Sequence, residues 1–248
     1  MRAPDGTICT QFELHDAEAA SLIKIDLLSV EAMDKIQICI NLLAEAGYVK
    51  KGATLRETYE NAIGIYNLER EAPEMWKLVS EHKINSLFQF EKQSGINAVR
   101  LAEPGSVDDL ATLNSVIRLM AQEKGGEIPV QKLARFKADD RCWDAELSYY
   151  GLGEKEKAIL DPILKTSYGL CIAQEQFMEL VQLPQLGGFD LTWADKLRKS
   201  IAKKNPAAYD ALTKEYFETI KEKKLDVGFC NYVWNVLIAM SKGYGFNQ

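Results

Sequence analysis

Most apolar residues of this chain recur every three or four positions, which is the spacing that places side chains on one face of an α-helix. Five segments with this spacing are predicted to be helical: residues 30–46, 55–71, 71–82, 107–119 and 206–224. Residues 229–240 are apolar on almost every side, which is typical of a buried segment. Residues 122–147 mix glycine, proline and charges, so we expect a loop-rich insertion with one short helix there.

The stretch Ser21–Ser29 alternates instead with the period of two that is typical of a β-strand. Ile23, Ile25 and Leu27 would face one side of this strand. We therefore predict a mainly α fold with a small β element near the N-terminus.

Asp26 lies in the middle of this predicted strand, a position in which aspartate is disfavoured. A carboxylate among apolar residues needs a partner or a metal ion. It is interpreted either as a strand-end carboxylate that pairs with Lys24 or caps a neighbouring turn, or as a metal ligand.

Thr166–Pro206 is predicted to form a helix, a short loop and a second helix. The first helix runs from about Cys171 to Val181. Leu183–Pro184 and the Gly187–Gly188 pair then interrupt it, because proline and glycine are strong helix breakers.

The second helix is predicted to begin at Thr192, whose hydroxyl is a suitable N-cap. Asp195, three residues later, stands where a capping box places an acid. One face of this helix is apolar and consists of Ala194, Leu197 and Ile201.

The opposite face carries a basic stripe of Lys196, Lys199 and Lys203, flanked by Arg198 and Lys204. Like charges three or four residues apart repel one another by a few tenths of a kcal/mol, roughly, per pair. One explanation is a solvated basic face, since cations are favoured near a helix C-terminus. The other is an anion whose binding offsets the repulsion.

The charge of the whole chain does not match that of a protein that coats nucleic acid. The 248 residues include 36 acidic and 30 basic ones, which gives a net charge of −6. The segment from Lys196 to Lys224, however, contains nine basic and four acidic residues, so positive charge is concentrated near the second helix.

No apolar run of about 18 residues predicts a membrane span, and the N-terminus lacks the apolar core of a signal peptide. A cytoplasmic location is expected by default. The five cysteines form no CxxC pair, so we expect neither a zinc site nor a disulfide framework.

Several blocks of the chain resemble the bacterial replicative polymerase family, the DNA polymerase III alpha subunit. The family's fingers carry a YG step, a QEQ segment, a GY or GF loop and LRRAMGKKKP, in that order. The matching residues here are Tyr168–Gly169, Gln174–Gln176, Gly188–Phe189 and Leu197–Pro206. Lys199 replaces the second arginine of the family, and Asn205 replaces its third lysine.

Two further blocks resemble the same family. Phe88, Gln89 and Glu91 match the entrance to its fingers, and Phe88 and Phe90 are expected in the core. Residues 107–118 match a family helix that ends at Arg118, where the residue is either a DNA contact or a surface charge. The final GYGFN resembles a family block that continues beyond it, so we expect the chain to be a piece of a larger polymerase.

LIKIDLLS resembles the palm motif whose aspartate is the third of three carboxylates that hold two Mg²⁺ ions, and this role falls on Asp26. The other two belong to an upstream P-D-x-D strand, for which residues 1–25 are too short. The resemblance therefore implies a partial palm over residues 1–50 and helical fingers over residues 51–248.

The resemblance implies part of a DNA-directed DNA polymerase that uses Mg²⁺, a DNA primer-template and deoxynucleoside triphosphates, in a bacterial cell or in the host of a phage. The residues implied to receive the triphosphate are Arg198, Lys199, Lys203 and Lys204. For Gln174 and Glu175 the resemblance implies a positioning role. The isolated chain is expected to be inactive without the remaining parts of the polymerase. The alternative is a catalytically incomplete helical module that binds DNA or a partner polymerase chain.

Overall fold

A computed structural model describes residues 2–23, 25, 30–64, 73–84, 87–119, 127–202 and 205–239 of the chain. These residues form thirteen α-helices, and none of the described helices is long and apolar enough to cross a membrane. The chain divides into two compact units, Met1–Ile65 and Tyr66–Gln248.

The first unit contains three helices: α1 (Leu14–Ala19), α2 (Glu31–Glu45) and α3 (Leu55–Ala62). Helix α2 packs on α3. Thr54 is the N-cap of α3, and its hydroxyl accepts a hydrogen bond of 3.1 Å from the Glu57 amide. Among the described residues of this unit, only Ile40 and Thr58 are buried.

The predicted β element is not observed, and the described residues of the first unit contain only an isolated antiparallel bridge between Arg2 and Ile8. Asp26 and most of the second half of the predicted strand lie outside the described residues. A strand requires a neighbour for its backbone hydrogen bonds, so an alternating pattern alone does not produce one.

The second unit opens with five helices whose packing partners are close in the sequence. They are α4 (Pro73–Ser80), α5 (Gln93–Ala102), α6 (Val107–Val116), α7 (Pro129–Ala138) and α8 (Arg141–Tyr149). Helix α5 packs on α4, α6 and α7. The prediction for the core aromatics was half correct, since Phe90 is 3% exposed but Phe88 is 51% exposed.

The expectation of a loop-rich insertion over residues 122–147 was wrong for the part that the structure describes. Helices α7 and α8 occupy residues 129–149, and each contributes to the core. Pro129 is the first residue of α7, where its missing N–H has no cost. Leu133, Phe136 and Leu147 are each 1–2% exposed, so helical periodicity operates here despite the charged residues between them.

The second half of this unit holds the predicted pair of helices. Its elements are α9 (Glu154–Leu164), a 3₁₀ turn (Lys165–Ser167), α10 (Gln174–Gln182), a second 3₁₀ turn (Pro184–Leu186), α11 (Leu191–Ala202), α12 (Pro206–Glu222) and α13 (Val227–Tyr232), which continues as a π-helix (Val233–Ile238). Helix α10 packs on α9 and α11, and α11 packs on α12.

Aromatic rings fill the space under α11 and α12. The Trp234 ring stacks on Tyr216 with their centroids 4.4 Å apart, and the Phe189 ring stacks on Trp193 at 3.9 Å. Trp234 is 1% exposed, which confirms the predicted burial of residues 229–240 at this position, and its partner Tyr216 is fully buried. These large rings fix α11 against its neighbours, since stacked pairs add to the burial of apolar area.

Candidate functional site

Helix α11 begins one residue earlier than predicted. The Asp190 carboxylate accepts a hydrogen bond of 2.7 Å from the Trp193 amide, which is the contact made by an N-cap side chain. Thr192 is therefore inside the helix, and its prediction as N-cap was wrong. Asp195 is therefore not at the capping-box position, and its side chain contacts the next turn of the helix.

The apolar face of α11 is confirmed. Ala194 and Leu197 are fully buried, and Ile201 is 5% exposed. Burial of this face against α10 and α12 determines which side chains of α11 remain at the surface.

Asp195 pairs with both cations of the following turn. Its Oδ1 accepts a hydrogen bond of 2.8 Å from Nε of Arg198 and lies 2.7 Å from Nη2 of the same residue. Its Oδ2 lies 2.7 Å from Nζ of Lys199. Hydrogen bonds from Lys199 and then from Arg198 lower the pKa of the Asp195 carboxyl. Repulsion within the basic stripe is therefore partly compensated inside the helix.

Gln174, the first residue of α10, also contacts Arg198. Its Oε1 accepts a long hydrogen bond of 3.4 Å from Nη1 of Arg198. The guanidinium consequently lies between a carboxylate of its own helix and an amide of the neighbouring helix. Arg198 retains 32% of its side-chain exposure and Lys199 retains 57%, so both remain accessible to a ligand. Glu175 is exposed on the first turn of α10.

Gln176 holds the turn before α10 through hydrogen bonds that sequence reasoning missed. It is 4% exposed, and its Oε1 accepts hydrogen bonds from the amides of Ile172 (2.8 Å) and Ala173 (3.0 Å). Its Nε2 donates to the Ile163 carbonyl (3.1 Å) and to Oγ of Ser167 (2.7 Å). The sequence did contain a signal, because a glutamine among the apolar positions of a helix must satisfy its amide internally.

The turn that precedes α10 is held by a second network. Oη of Tyr168 donates a hydrogen bond of 2.6 Å to Oδ1 of Asp109, and Nζ of Lys137 lies 2.9 Å from Oδ2. Burial, followed by the bond to Asp109, raises the pKa of Tyr168 to about 12. Tyr168 has a left-handed φ of 55°, so these contacts maintain a backbone conformation that tyrosine rarely adopts.

A shallow groove of about 370 Å³ runs between α11 and the first turns of α12. Its rim contains Lys196 and Lys199, and its remaining lining residues are Ser200, Asn205, Ala208, Ala211 and Leu212. The side chain of Lys199 thus borders both this groove and the Asp195 ion pair.

The remaining predicted site residues lie elsewhere or are not described. Lys203, Lys204 and Asp26 lie outside the described residues. Arg118 is half-buried, and its Nη2 donates to Oε1 of Gln89, a residue with a left-handed φ of 69°. Across the part of the chain that the structure describes, no group of three or more His, Cys, Asp or Glu side chains is arranged to hold a metal ion.

Comparison with known proteins gives matches over nearly the whole chain. The family described as "Bacterial DNA polymerase III alpha subunit finger domain" matches residues 49–224. The chain is 34% identical to "Probable DNA polymerase YorL" of Bacillus subtilis (strain 168) and to the "DNA-directed DNA polymerase" of Bacillus phage SPbeta. Each match extends over 247 residues and covers 100% of this chain and 19% of the relative. It is 27% identical over 243 residues to "DNA polymerase III subunit alpha" of Treponema pallidum (strain Nichols), covering 98% of this chain and 18% of that relative.

The chain spans about a fifth of the length of the curated relatives it matches. The family match runs from before α3 to the end of α12 and therefore includes Gln174, Asp195 and Arg198. It covers well over half of the chain and agrees with the helical architecture. The chain belongs to the finger-domain family of the bacterial DNA polymerase III alpha subunit.

Proposed function

We propose that this chain contributes the fingers of a replicative DNA-directed DNA polymerase, and that α11 receives the triphosphate of the incoming deoxynucleoside triphosphate. The observation that carries the proposal is the guanidinium of Arg198, which is held at the surface between Asp195 and Gln174. In this assignment residues 51–248 are the fingers and residues 1–50 are part of the palm.

The side chains around α11 have the chemistry that phosphate recognition needs. A guanidinium presents several N–H donors in a plane and suits phosphate oxygens, whereas a lysine acts as a compact point charge. Arg198 and Lys199 are adjacent in the sequence and share the Asp195 carboxylate, so their cationic groups lie close together. We assign Lys203 and Lys204 to the same anion because they follow Lys199 by four and five residues in the sequence.

Gln174 has a positioning role in this proposal, and the contact with Arg198 supports it. Gln176 fixes the residues on which the start of α10 depends, and so determines where Gln174 lies. Phosphoryl transfer depends mainly on positioning and charge stabilisation, which makes such supporting contacts important for the reaction.

The metal chemistry is assigned to Asp26, with Mg²⁺ shared between it and carboxylates outside this chain. When bound, the ions would stabilise charge on the reacting oxygens. Asp26 itself lies outside the described residues. Arg118 is proposed to contact the DNA primer-template, with Gln89 holding its guanidinium.

The test is binding of a deoxynucleoside triphosphate with Mg²⁺ to wild type and to Arg198→Ala. Lys214→Ala is the matched control, because Lys214 is an exposed lysine on α12 whose ion pair with Glu218 is long, at 3.8 Å. We expect Arg198→Ala to weaken binding roughly tenfold, which corresponds to about 1.4 kcal/mol, and Lys214→Ala to leave it unchanged. Equal binding by wild type and Arg198→Ala would remove the triphosphate from α11.

A second candidate function is a catalytically incomplete helical module that binds a partner polymerase chain. The exposed apolar residues of α2 favour it, since Met33, Ile38 and Leu42 are 50%, 58% and 59% exposed. A folded chain that binds no triphosphate but forms a stable complex with another polymerase chain would support this function instead.

A further inference from the structure

The Asp195 carboxylate pairs with two of the four cations that the proposed function assigns to phosphate, Arg198 and Lys199. Oδ1 faces the Nε edge of Arg198 at 2.8 Å, and Oδ2 faces the amino group of Lys199 at 2.7 Å. Each carboxylate oxygen therefore accepts from a different cation, and both contacts are as short as charge-assisted hydrogen bonds usually are. An anion of the protein itself therefore already pairs with both of these cations.

The surroundings of Asp195 do not explain this arrangement as a core ion pair. Asp195 retains 33% of its side-chain exposure, so water can solvate its carboxylate when a cation leaves. Ion pairs at such exposure contribute little net stability, so a ligand with several phosphate charges can replace the carboxylate. The neighbouring contact of Arg198 with Gln174 involves Nη1 and does not depend on the Asp195 oxygen.

We propose that Asp195 is an internal counter-ion that competes with the phosphate ligand for Arg198 and Lys199, and thereby limits the affinity of α11 for polyphosphate. This inference rests on the proposed triphosphate site. When phosphate binds, Lys199 turns from Oδ2 towards the ligand, while Gln174 retains the guanidinium of Arg198. When phosphate leaves, the carboxylate pairs with both cations again, which lowers the cost of releasing the anion.

The test measures binding of inorganic tripolyphosphate, without nucleoside and with divalent ions chelated, to wild type and to Asp195→Asn. Asparagine keeps the shape of the side chain and removes its charge. Loss of a competing exposed ion pair is expected to tighten binding about threefold to fivefold. Glu215→Gln is the matched control, since it removes one negative charge from an exposed position on α12 and should leave the affinity nearly unchanged.

The Arg198→Ala variant separates this inference from the function on which it rests. If Arg198→Ala weakens tripolyphosphate binding while Asp195→Asn leaves it equal or weaker, the site stands and Asp195 is not a competitor of the phosphate ligand. If Arg198→Ala has no effect, or if folded wild type binds no tripolyphosphate, both proposals are wrong. The double variant should lose most of the gain seen in Asp195→Asn, and circular dichroism confirms that each variant is folded.

Discussion

Nε2 of Gln176 donates a hydrogen bond of 2.7 Å to Oγ of Ser167, and both side chains are buried. This bond joins the first turn of α10 to the 3₁₀ turn that follows α9. The two residues are nine positions apart, and the left-handed Tyr168 and Gly169 lie between them. The start of α10, and with it Gln174, is therefore held by a polar contact inside an apolar core.

Replacing Gln176 with leucine is expected to lower the free energy of unfolding by about 3 kcal/mol, because the Ile172 and Ala173 amides lose their acceptor in a buried place. Urea unfolding followed by circular dichroism measures this loss. Gln185→Leu is the control, since Gln185 is exposed on the neighbouring 3₁₀ turn. A similar stability for both variants would show that the Gln176 network does not hold α10.

Gly169→Ala is expected to destabilise the chain by about 3 kcal/mol through strain and overpacking. Gly169 has a φ of 82°, and an added Cβ would lie 2.5 Å from the Trp143 ring. Gly151→Ala separates the two effects, because Gly151 has a φ of 72° with nothing within 4 Å of the added carbon. That control should cost only about 1 kcal/mol, the amount expected from backbone strain alone. Equal losses in thermal unfolding would exclude the steric contribution of Trp143.

Asp190→Ala is expected to cost about 1 kcal/mol, since the Trp193 amide loses its N-cap acceptor. Thr192→Ala is the matched comparison, because Thr192 would show this loss if it were the N-cap. We expect Thr192→Ala to change the free energy of unfolding by less than about 0.5 kcal/mol. A larger loss of stability in Thr192→Ala than in Asp190→Ala would show that Thr192 is the N-cap.

Asp109→Asn is expected to lower stability at neutral pH by about 2 kcal/mol, because Tyr168 and Lys137 lose a charged partner. Burial raises the pKa of Asp109, but hydrogen bonds from Tyr168, Gly105 and Lys137 outweigh it and leave that pKa below its ordinary value. A lowered folded pKa stabilises the protein above the unfolded value of about 3.9, and this contribution disappears as the pH falls through the folded pKa.

The difference in unfolding free energy between wild type and Asp109→Asn should therefore be constant from pH 7 to about pH 5 and shrink below about pH 4. Asp108→Asn serves as the control, because Asp108 is an exposed acid in the same helical turn. A difference that does not change with pH would contradict the assigned charge of Asp109.

The sequence by itself determined the mainly helical fold, the family and the apolar face of α11. Ala194, Leu197 and Ile201 follow the helical period and are buried, because the period alone decides which residues of a helix share a face. The order of the sequence blocks indicated the same family that matches residues 49–224.

Only the tertiary structure decided which polar groups meet. Arg198 contacts Gln174 because α10 packs on α11 where these two residues lie. The sequence pattern does not contain the distance between residues of different helices. The sequence shows a glutamine at position 176 but does not show that its four hydrogen-bond partners come from three separate segments. Asp195 was predicted as a capping acid, but its pairs with Arg198 and Lys199 follow from the i,i+3 and i,i+4 spacing within α11. Side-chain spacing therefore fixes the faces and the local pairs of a helix, whereas polar contacts between helices depend on how those helices are placed in space.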